Sequence, residues 1–181
     1  MNDFAGILSS ELPDWCVTEL RTDHAGETGA VYIYRGILAL SNDSDVRSFA
    51  KEHLTTEQEH LRLIDACLPP AEQSRLLPLW RLAGWLTGAI PALFGPRAVF
   101  ATVAAVETFV DEHYGEQITR LQAEQSAPKL LALLESCRED ELHHRDEAQA
   151  LLNSEPGWLL RAWCAVVDSG SRAAVTLARH I

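Results

Sequence analysis

The feature that most constrains the fold of this chain is a repeat of ionisable residues in its two halves. Each half carries a Glu-Thr pair with a Tyr seven residues after the Glu, followed by a Glu-x-x-His motif. The repeated positions are Glu27, Tyr34, Glu57 and His60 in the first half, and Glu107, Tyr114, Glu141 and His144 in the second. Residues three apart share a face of an α-helix, so each Glu-x-x-His motif points both side chains the same way.

Apolar residues around these motifs recur at alternating spacings of three and four, which predicts long amphipathic helices. We expect five of them, with Ser44 capping the second, at 14–41, 44–68, 96–124, 127–153 and 157–179. No sustained alternation of apolar and polar residues predicts a strand. The expected fold is an all-α, four-helix bundle forming one domain over 1–181, with an additional apolar segment at 76–95 and a C-terminal amphipathic helix at 156–181.

The four Glu and two His of the repeat fall in the middle of the predicted apolar seams. Burying an unpaired carboxylate costs several kcal/mol or forces it to take up a proton. Two divalent metal ions would balance four carboxylates, and oxygen and nitrogen ligands without a thiolate suit iron or manganese. The four Cys are far apart and form no C-x-x-C motif, so we expect them to be reduced and not to bind metal.

Other polar residues lie near the seams. Asp140 is expected either to support a ligand histidine or to be a solvated acid, and Asp111 is expected to support a metal ligand. Tyr34 and Tyr114 are either pocket residues or core tyrosines with a hydrogen-bonded hydroxyl. Four further histidines are expected to have surface or structural positions: His24, His53, His113 and His143. Of these, His113 adjoins the pocket side of its helix.

The charge distribution argues against nucleic acid and in favour of a membrane surface. Lys and Arg number 15 against 26 Asp and Glu, and a net charge of -11 does not favour phosphate binding. Two segments are nevertheless basic, 73–106 at +3 and 156–181 at +2, and together they hold four of the five Trp. Trp and Arg on apolar stretches suit a bilayer interface. The longest uncharged run is fifteen residues, 82–96, which is too short to span a bilayer.

Several stretches of the chain together resemble the demethoxyubiquinone hydroxylase family, from about residue 15 to the C-terminus. They are Arg21-Thr-Asp-His-Ala-Gly-Glu-Thr-Gly-Ala30, the first Glu-x-x-His motif, the apolar segment from Pro78 to Gly88, Val106-Glu107, His113-Tyr114 and Asp140-Glu-Leu-His-His144. The resemblance implies a ferritin-like di-iron fold. It also implies that His113 and Tyr114 lie near the quinone. The iron ligands that it implies are Glu27, Glu57, His60, Glu107, Glu141 and His144.

The resemblance further implies an activity, a set of partners and a location. Members of this family hydroxylate the ring of 2-polyprenyl-3-methyl-6-methoxy-1,4-benzoquinone in ubiquinone biosynthesis, using two iron ions, dioxygen and an external reductant, here expected to be NADH. The expected partners are the polyprenyl quinone, the membrane surface and other ubiquinone-biosynthesis proteins. Met1 to Leu20 contains no Lys or Arg, so no presequence is predicted. The expected location is the cytoplasmic face of a bacterial membrane, or the matrix face of the mitochondrial inner membrane for a processed chain.

Two alternatives remain open from the sequence. A ferritin-like iron oxidase or storage protein would share the metal site, but the apolar segment 76–95 does not suit a soluble cage. A metal-free helical scaffold that binds membranes would explain the basic segments, but it leaves the buried ionisable cluster without a purpose.

Overall fold

The computed structural model describes residues 12–152 and 154–181, and within them it contains six α-helices and no strand. A short 3-10 turn, Pro70–Glu72, follows the second helix. The helices are α1 Asp14–Leu40, α2 Ser44–Cys67, α3 Leu77–Ala92, α4 Pro96–Glu124, α5 Pro128–Leu151 and α6 Trp158–Ala178. The predicted all-α class is confirmed, and the helices expected from the apolar spacing lie within a few residues of their predicted bounds. The expectation that no presequence is present concerns mainly residues 1–11, which lie outside the described part.

The helices α1, α2, α4 and α5 pack around two apolar clusters. One cluster contains Leu20, Ile64 and Leu121, and the other contains Ile37, Phe49 and Val103. Along each helix, the Glu and His residues of the repeat lie between residues of the two clusters. Apolar side chains therefore close the bundle above and below the polar centre, which keeps water away from it.

The apolar segment at 76–95 folds as a helix, α3, and packs closely against α1. Close approach depends on glycine, since a Cβ on Gly84 would overlap the backbone of Gly29, and one on Gly88 would overlap the backbone of Ile33. On the α1 side, a Cβ on Gly36 would overlap the backbone of Trp85. A helix with larger residues at these positions would have to move outward.

The start of α2 differs in one respect from the prediction. Asp43, not Ser44, caps the helix, because its carboxylate accepts hydrogen bonds from the backbone N–H groups of Asp45 and Val46 at 3.0 Å each. Ser44 is the first helical residue, and its hydroxyl donates to the side chain of Asp45. Both residue types cap helices well, so the sequence alone leaves a one-residue ambiguity.

Two of the four tryptophans in the basic segments make hydrogen bonds within the fold. Trp80 is buried, and its indole N–H donates to Ser74. Trp163 is half-buried on α6 and donates to Thr102 of α4 at 2.8 Å. Indole N–H groups removed from water need such partners, so these rings stabilise the fold, whereas Trp158 is exposed. No helix in the described ranges is long and apolar enough to cross a bilayer.

Candidate metal centre

The structure brings the six ionisable residues of the repeat together at the middle of the bundle. Each of the four bundle helices contributes: α1 and α4 one Glu each, α2 and α5 one Glu-x-x-His motif each. All six side chains are buried, with at most 4% of any residue exposed: Glu27, Glu57, His60, Glu107, Glu141 and His144. Their burial follows from the apolar seams on which they lie, and it concentrates four carboxyl groups and two imidazoles in a water-poor interior.

The six side chains form two overlapping groups that could each hold one metal ion. Glu27, Glu57, His60 and Glu141 make one group, and Glu57, Glu107, Glu141 and His144 make the other. Within each group, one potential ligand atom per residue lies within 4.8 Å of all the others. Glu57 and Glu141 belong to both groups, so the two positions would share two carboxylates. The remaining ligands, one carboxylate and one imidazole, differ between them.

The contacts within the cluster direct the same nitrogen of each imidazole to its centre. Nδ1 of His60 lies 3.0 Å from Oε1 of Glu141. Nδ1 of His144 lies 3.1 Å from Oε1 of Glu57 and 3.2 Å from Oε2 of Glu141. Oε2 of Glu27 is buried and has no hydrogen-bond partner among the described residues. The Nδ1 atoms and carboxylate oxygens thus converge on one small volume, as ligands of metal ions do.

The electrostatics of this cluster favour added positive charge. Burial raises the pKa of Glu27, Glu57 and Glu107, because a carboxylate loses its hydration there. Burial also acts against ionisation of Glu141, but hydrogen bonds from both imidazoles outweigh it and lower its pKa to about 2. For His144, hydrogen bonds to Glu141 and Glu57 outweigh burial and raise the pKa to about 9. Without metal, protons therefore supply the charge that the carboxylates need.

The two repeated tyrosines make hydrogen bonds that cross between the halves of the chain. Tyr34 of the first half donates to Oε1 of Glu107 at 3.2 Å, and Tyr114 of the second half donates to Oε1 of Glu27. Both tyrosines are buried, and burial raises the pKa of each phenol, so each remains a donor. The hydroxyls fix the orientation of the two carboxylates that belong to one group only.

The two aspartates singled out by the sequence have different surroundings. Oδ2 of Asp140 lies 3.1 Å from Nε2 of His60, on the ring edge opposite the cluster. Asp111 instead accepts hydrogen bonds from Arg138 at 2.6 Å and Arg145 at 2.9 Å. Only Asp140 therefore contacts a cluster side chain, and a supporting role for Asp111 has no hydrogen bond to favour it.

The histidines expected at surface or structural positions are mostly buried. His53 lies against the ring of His144, with centroids 4.0 Å apart, and its Nε2 contacts Glu147 at 2.8 Å. His24 is buried and pairs with Asp65 at 3.2 Å, whereas His143 is exposed. The position of His53 one turn before Glu57 was a signal for this contact, because residues four apart share a helix face.

A cavity of about 350 Å³ adjoins the metal-ligand cluster between α1, α3, α4 and α6. Glu27, Glu107 and Glu141 form part of its wall, and most of the remaining lining is apolar or small. Gly26 and Gly29 border it, and a Cβ at either position would meet no atom within 4 Å, so these glycines leave open space beside the cluster. His113 and Tyr114 also line the cavity.

The fold and the cluster define the class of protein: an all-α, ferritin-like bundle with four carboxylates and two imidazoles from a duplicated motif at its centre. The model of the family described as ubiquinone biosynthesis protein COQ7 matches residues 15–178. The chain belongs to this family.

Curated relatives agree with the family assignment. The chain is 31% identical over 167 residues to a mitochondrial NADPH-dependent 3-demethoxyubiquinone 3-hydroxylase from Caenorhabditis elegans, a match covering 90% of this chain and 88% of the relative. It is 30% identical over 176 residues to the Homo sapiens protein of the same name, covering 90% and 76%. It is 38% identical over 130 residues to a 3-demethoxyubiquinol 3-hydroxylase from Rhodospirillum rubrum, covering 70% of this chain and 60% of that relative.

Proposed function

We propose that this chain is a monooxygenase that hydroxylates the ring of 2-polyprenyl-3-methyl-6-methoxy-1,4-benzoquinone at a centre of two iron ions. One observation carries the proposal: a buried cluster of six metal-binding side chains forms part of the wall of an apolar cavity. The relatives' names supply the substrate class, a demethoxyubiquinone or demethoxyubiquinol. They also name NADPH as the reductant of the mitochondrial proteins, so we replace the expected NADH with NADPH.

The residues present fit a pair of iron ions. Each group offers three carboxylates and one imidazole, a set of oxygen and nitrogen ligands without thiolate that suits iron or manganese. Oε2 of Glu27 is buried and has no hydrogen-bond partner among the described residues, so it is free to bind a cation. When bound, the two iron ions would supply the reductive activation of dioxygen that ring hydroxylation requires.

The protein side chains around the cluster have supporting roles in this proposal. Asp140 holds Nε2 of His60, which fixes the ring so that Nδ1 faces the metal position. Tyr34 and Tyr114 hold Glu107 and Glu27 in place. The apolar clusters above and below the centre exclude water, and the cavity leaves room beside Glu27 and Glu107 for an aromatic ring.

The outer surface of α3 supports uptake of the quinone from a membrane. Leu79, Leu82, Leu86, Ile90 and Leu93 recur at spacings of three and four and are all exposed. Phe94 follows at 77% exposure, and Arg81 and Arg97 are exposed nearby in sequence. A large apolar stripe with flanking cations suits an anionic bilayer surface. Trp80, Gly84 and Thr87 on an adjoining face of α3 line the cavity, so the apolar stripe lies beside the wall of the site.

Membrane contact is tested by sedimentation of the purified chain with vesicles containing anionic phospholipid. Leu82→Ser and Leu86→Ser together should reduce the bound fraction severalfold, whereas Leu40→Ser, at an exposed leucine of α1, should not. Equal binding by all three proteins would contradict the membrane face of α3. If the face is real, the proposed location is the periphery of a bacterial cytoplasmic membrane or of the mitochondrial inner membrane.

The activity is tested with the iron-loaded full chain, NADPH, dioxygen and a short-tailed demethoxyquinone. We expect a hydroxylated ring whose new oxygen comes from isotopically labelled dioxygen, and no product from Glu141→Ala. Iron oxidation without any hydroxylated product would favour the storage or oxidase alternative. A chain that binds vesicles but takes up no iron would favour the metal-free scaffold.

A further inference from the structure

The cavity has a second polar end, away from the metal-ligand cluster, whose residues the proposed chemistry does not use. His113 of α4 faces Thr22 and Asp23 of α1 there, and all three line the cavity. Nε2 of His113 lies 2.9 Å from Oγ1 of Thr22 and 3.1 Å from Oδ1 of Asp23. The remaining cavity wall beyond the cluster is largely apolar, so this end is where a polar atom of a ligand would find a partner.

The neighbours of His113 fix the proton on Nε2. The carboxylate of Asp23 is an acceptor, and the hydroxyl of Thr22 already donates to the backbone oxygen of Glu19 at 2.7 Å. Both contacts therefore require an N–H group on the imidazole. The side-chain amide of Gln117 donates to the same oxygen, Oδ1 of Asp23, at 2.7 Å. The amide nitrogen of Gln117 lies 3.2 Å from Nε2 of His113 because both nitrogens donate to this oxygen.

Nδ1 lies on the opposite edge of the His113 ring and has no hydrogen-bond partner among the described residues. With Nε2 occupied, Nδ1 is the polar atom that the ring can offer to a ligand. A neutral imidazole would present a lone pair there, whereas an imidazolium would present an N–H donor. The charge on His113 therefore decides which kind of ligand oxygen it can bind.

The charges facing His113 favour the imidazolium. Asp23 and Glu19 of α1 lie 3.1 and 4.0 Å from Nε2, and Arg179 at the end of α6 is held on Glu19 at 2.9 Å. Oδ2 of Asp23 is buried and unpartnered within the described ranges, and this burial raises the pKa of Asp23, while hydrogen bonds from His113 and Gln117 oppose the rise. Burial opposes ionisation of His113, but the hydrogen bond and charge of Asp23 raise its pKa above the ordinary value.

We infer that Asp23 is a positioning residue: it holds His113 as an imidazolium whose Nδ1–H anchors a ring oxygen of the quinone in the cavity. The identity of the ring rests on the proposed function, while the pairing of Asp23 with His113 rests on the contacts alone. A quinone carbonyl accepts hydrogen bonds and cannot donate them, so it suits a cationic donor. The anchor would hold the ring at one end while its other side faces Glu27 and Glu107.

The inference predicts that quinone affinity depends on pH in a way that Asp23 controls. His113 is protonated below its pKa in the folded protein, so binding is tightest there and weakens as the pH rises through that value. Loss of a charge-assisted hydrogen bond weakens binding by about tenfold or more. Replacing Asp23 by Asn removes the neighbouring negative charge, so the weakening should begin about one pH unit lower or more.

The experiment measures the dissociation constant of a short-tailed demethoxyquinone on the iron-loaded full chain, without reductant, from pH 6 to 9. Trp80 and Trp163 line the cavity, so quenching of tryptophan fluorescence reports binding. Asp23→Asn should shift the midpoint of the pH dependence downward, and His113→Gln, which keeps an uncharged donor, should bind independently of pH. The control Glu19→Gln removes a charge outside the cavity lining and should shift the midpoint less than Asp23→Asn.

Two results would overturn the inference. One is a wild-type affinity that does not change with pH. The other is a midpoint that is the same in the wild type and in Asp23→Asn, with iron content and thermal transition of the variant unchanged. Either result leaves the hydroxylase proposal standing, since the binding measurement requires no turnover. An absence of quinone binding at every pH contradicts both.

Discussion

The contact between Asp140 and His60 gives a prediction that separates the two metal positions. Oδ2 of Asp140 lies 3.1 Å from Nε2 of His60, and His60 belongs to only one of the two groups. The equivalent residue before the other Glu-x-x-His motif is Thr56, which cannot offer a carboxylate to His144. Asp140→Asn should therefore weaken one metal position and leave the other unchanged.

The size of this effect follows from the exposure of the carboxylate. Carboxylates that hold a ligand histidine typically change metal affinity by about 10- to 100-fold. The side chain of Asp140 is 51% exposed, so solvent screens its charge and the lower end applies. We expect the dissociation constant of the His60 position to rise about tenfold, or about 1.4 kcal/mol.

The assay is an anaerobic calorimetric titration of the chelator-treated full chain with iron(II). The wild type should show two binding steps, and Asp140→Asn should weaken one of them. Asp146→Asn is the matched control, since Asp146 lies on the same helix, is exposed and pairs with Arg145. Two unchanged steps, or two equally weakened steps, would refute the role assigned to Asp140.

Three further predictions test the metal-ligand cluster and the helix packing around it. Glu141→Ala should abolish both metal positions because Glu141 belongs to both groups, whereas Glu107→Ala should leave one position. The iron content per chain distinguishes the two variants, and an equal loss of iron in both would contradict the sharing of Glu141 between the groups. Gly88→Ala should lower the stability by about 2 kcal/mol in chemical unfolding, because its Cβ would meet the backbone of α1, while Gly170→Ala, which faces open space, should be tolerated. Chelator-treated protein should lose thermal stability as the pH rises from 5 to 8. The pKa values of the buried carboxyl groups and of His144 are raised in the folded state, so the folded protein binds more protons than the unfolded one over this range. A gain of thermal stability over the same range would contradict the buried cluster.

The sequence predicts the polar centre well because helical periodicity is a local property. A Glu and a His three residues apart face the same way on any helix, and the apolar seam shows which way that is. The helix starts at Pro96 and Pro128 also follow from local chemistry, since Pro is favoured in the first turn. The ligand roles of these residues remain predictions, whereas their convergence is a property of the fold.

Contacts between helices are much harder to predict from the sequence. Asp23 and His113 lie 90 residues apart, and nothing in either local pattern indicates that they pair. The sharing of Glu57 and Glu141 between both groups depends on how the four helices cross, since the sequence gives all four Glu similar positions. Asp111 occupies a seam position, yet two arginines of α5 bind it at the edge of the bundle. Trp80 and Trp163 likewise pack inward, because their neighbours offer acceptors for the indole N–H.

The measurement that tests the central claim most directly is the iron content of the purified full chain after reconstitution with iron(II). The account predicts two ions per chain in the wild type and none retained tightly by Glu57→Ala, because Glu57 belongs to both groups. One ion per chain, or two ions that persist in the variant, would contradict a pair of metals held by these six side chains.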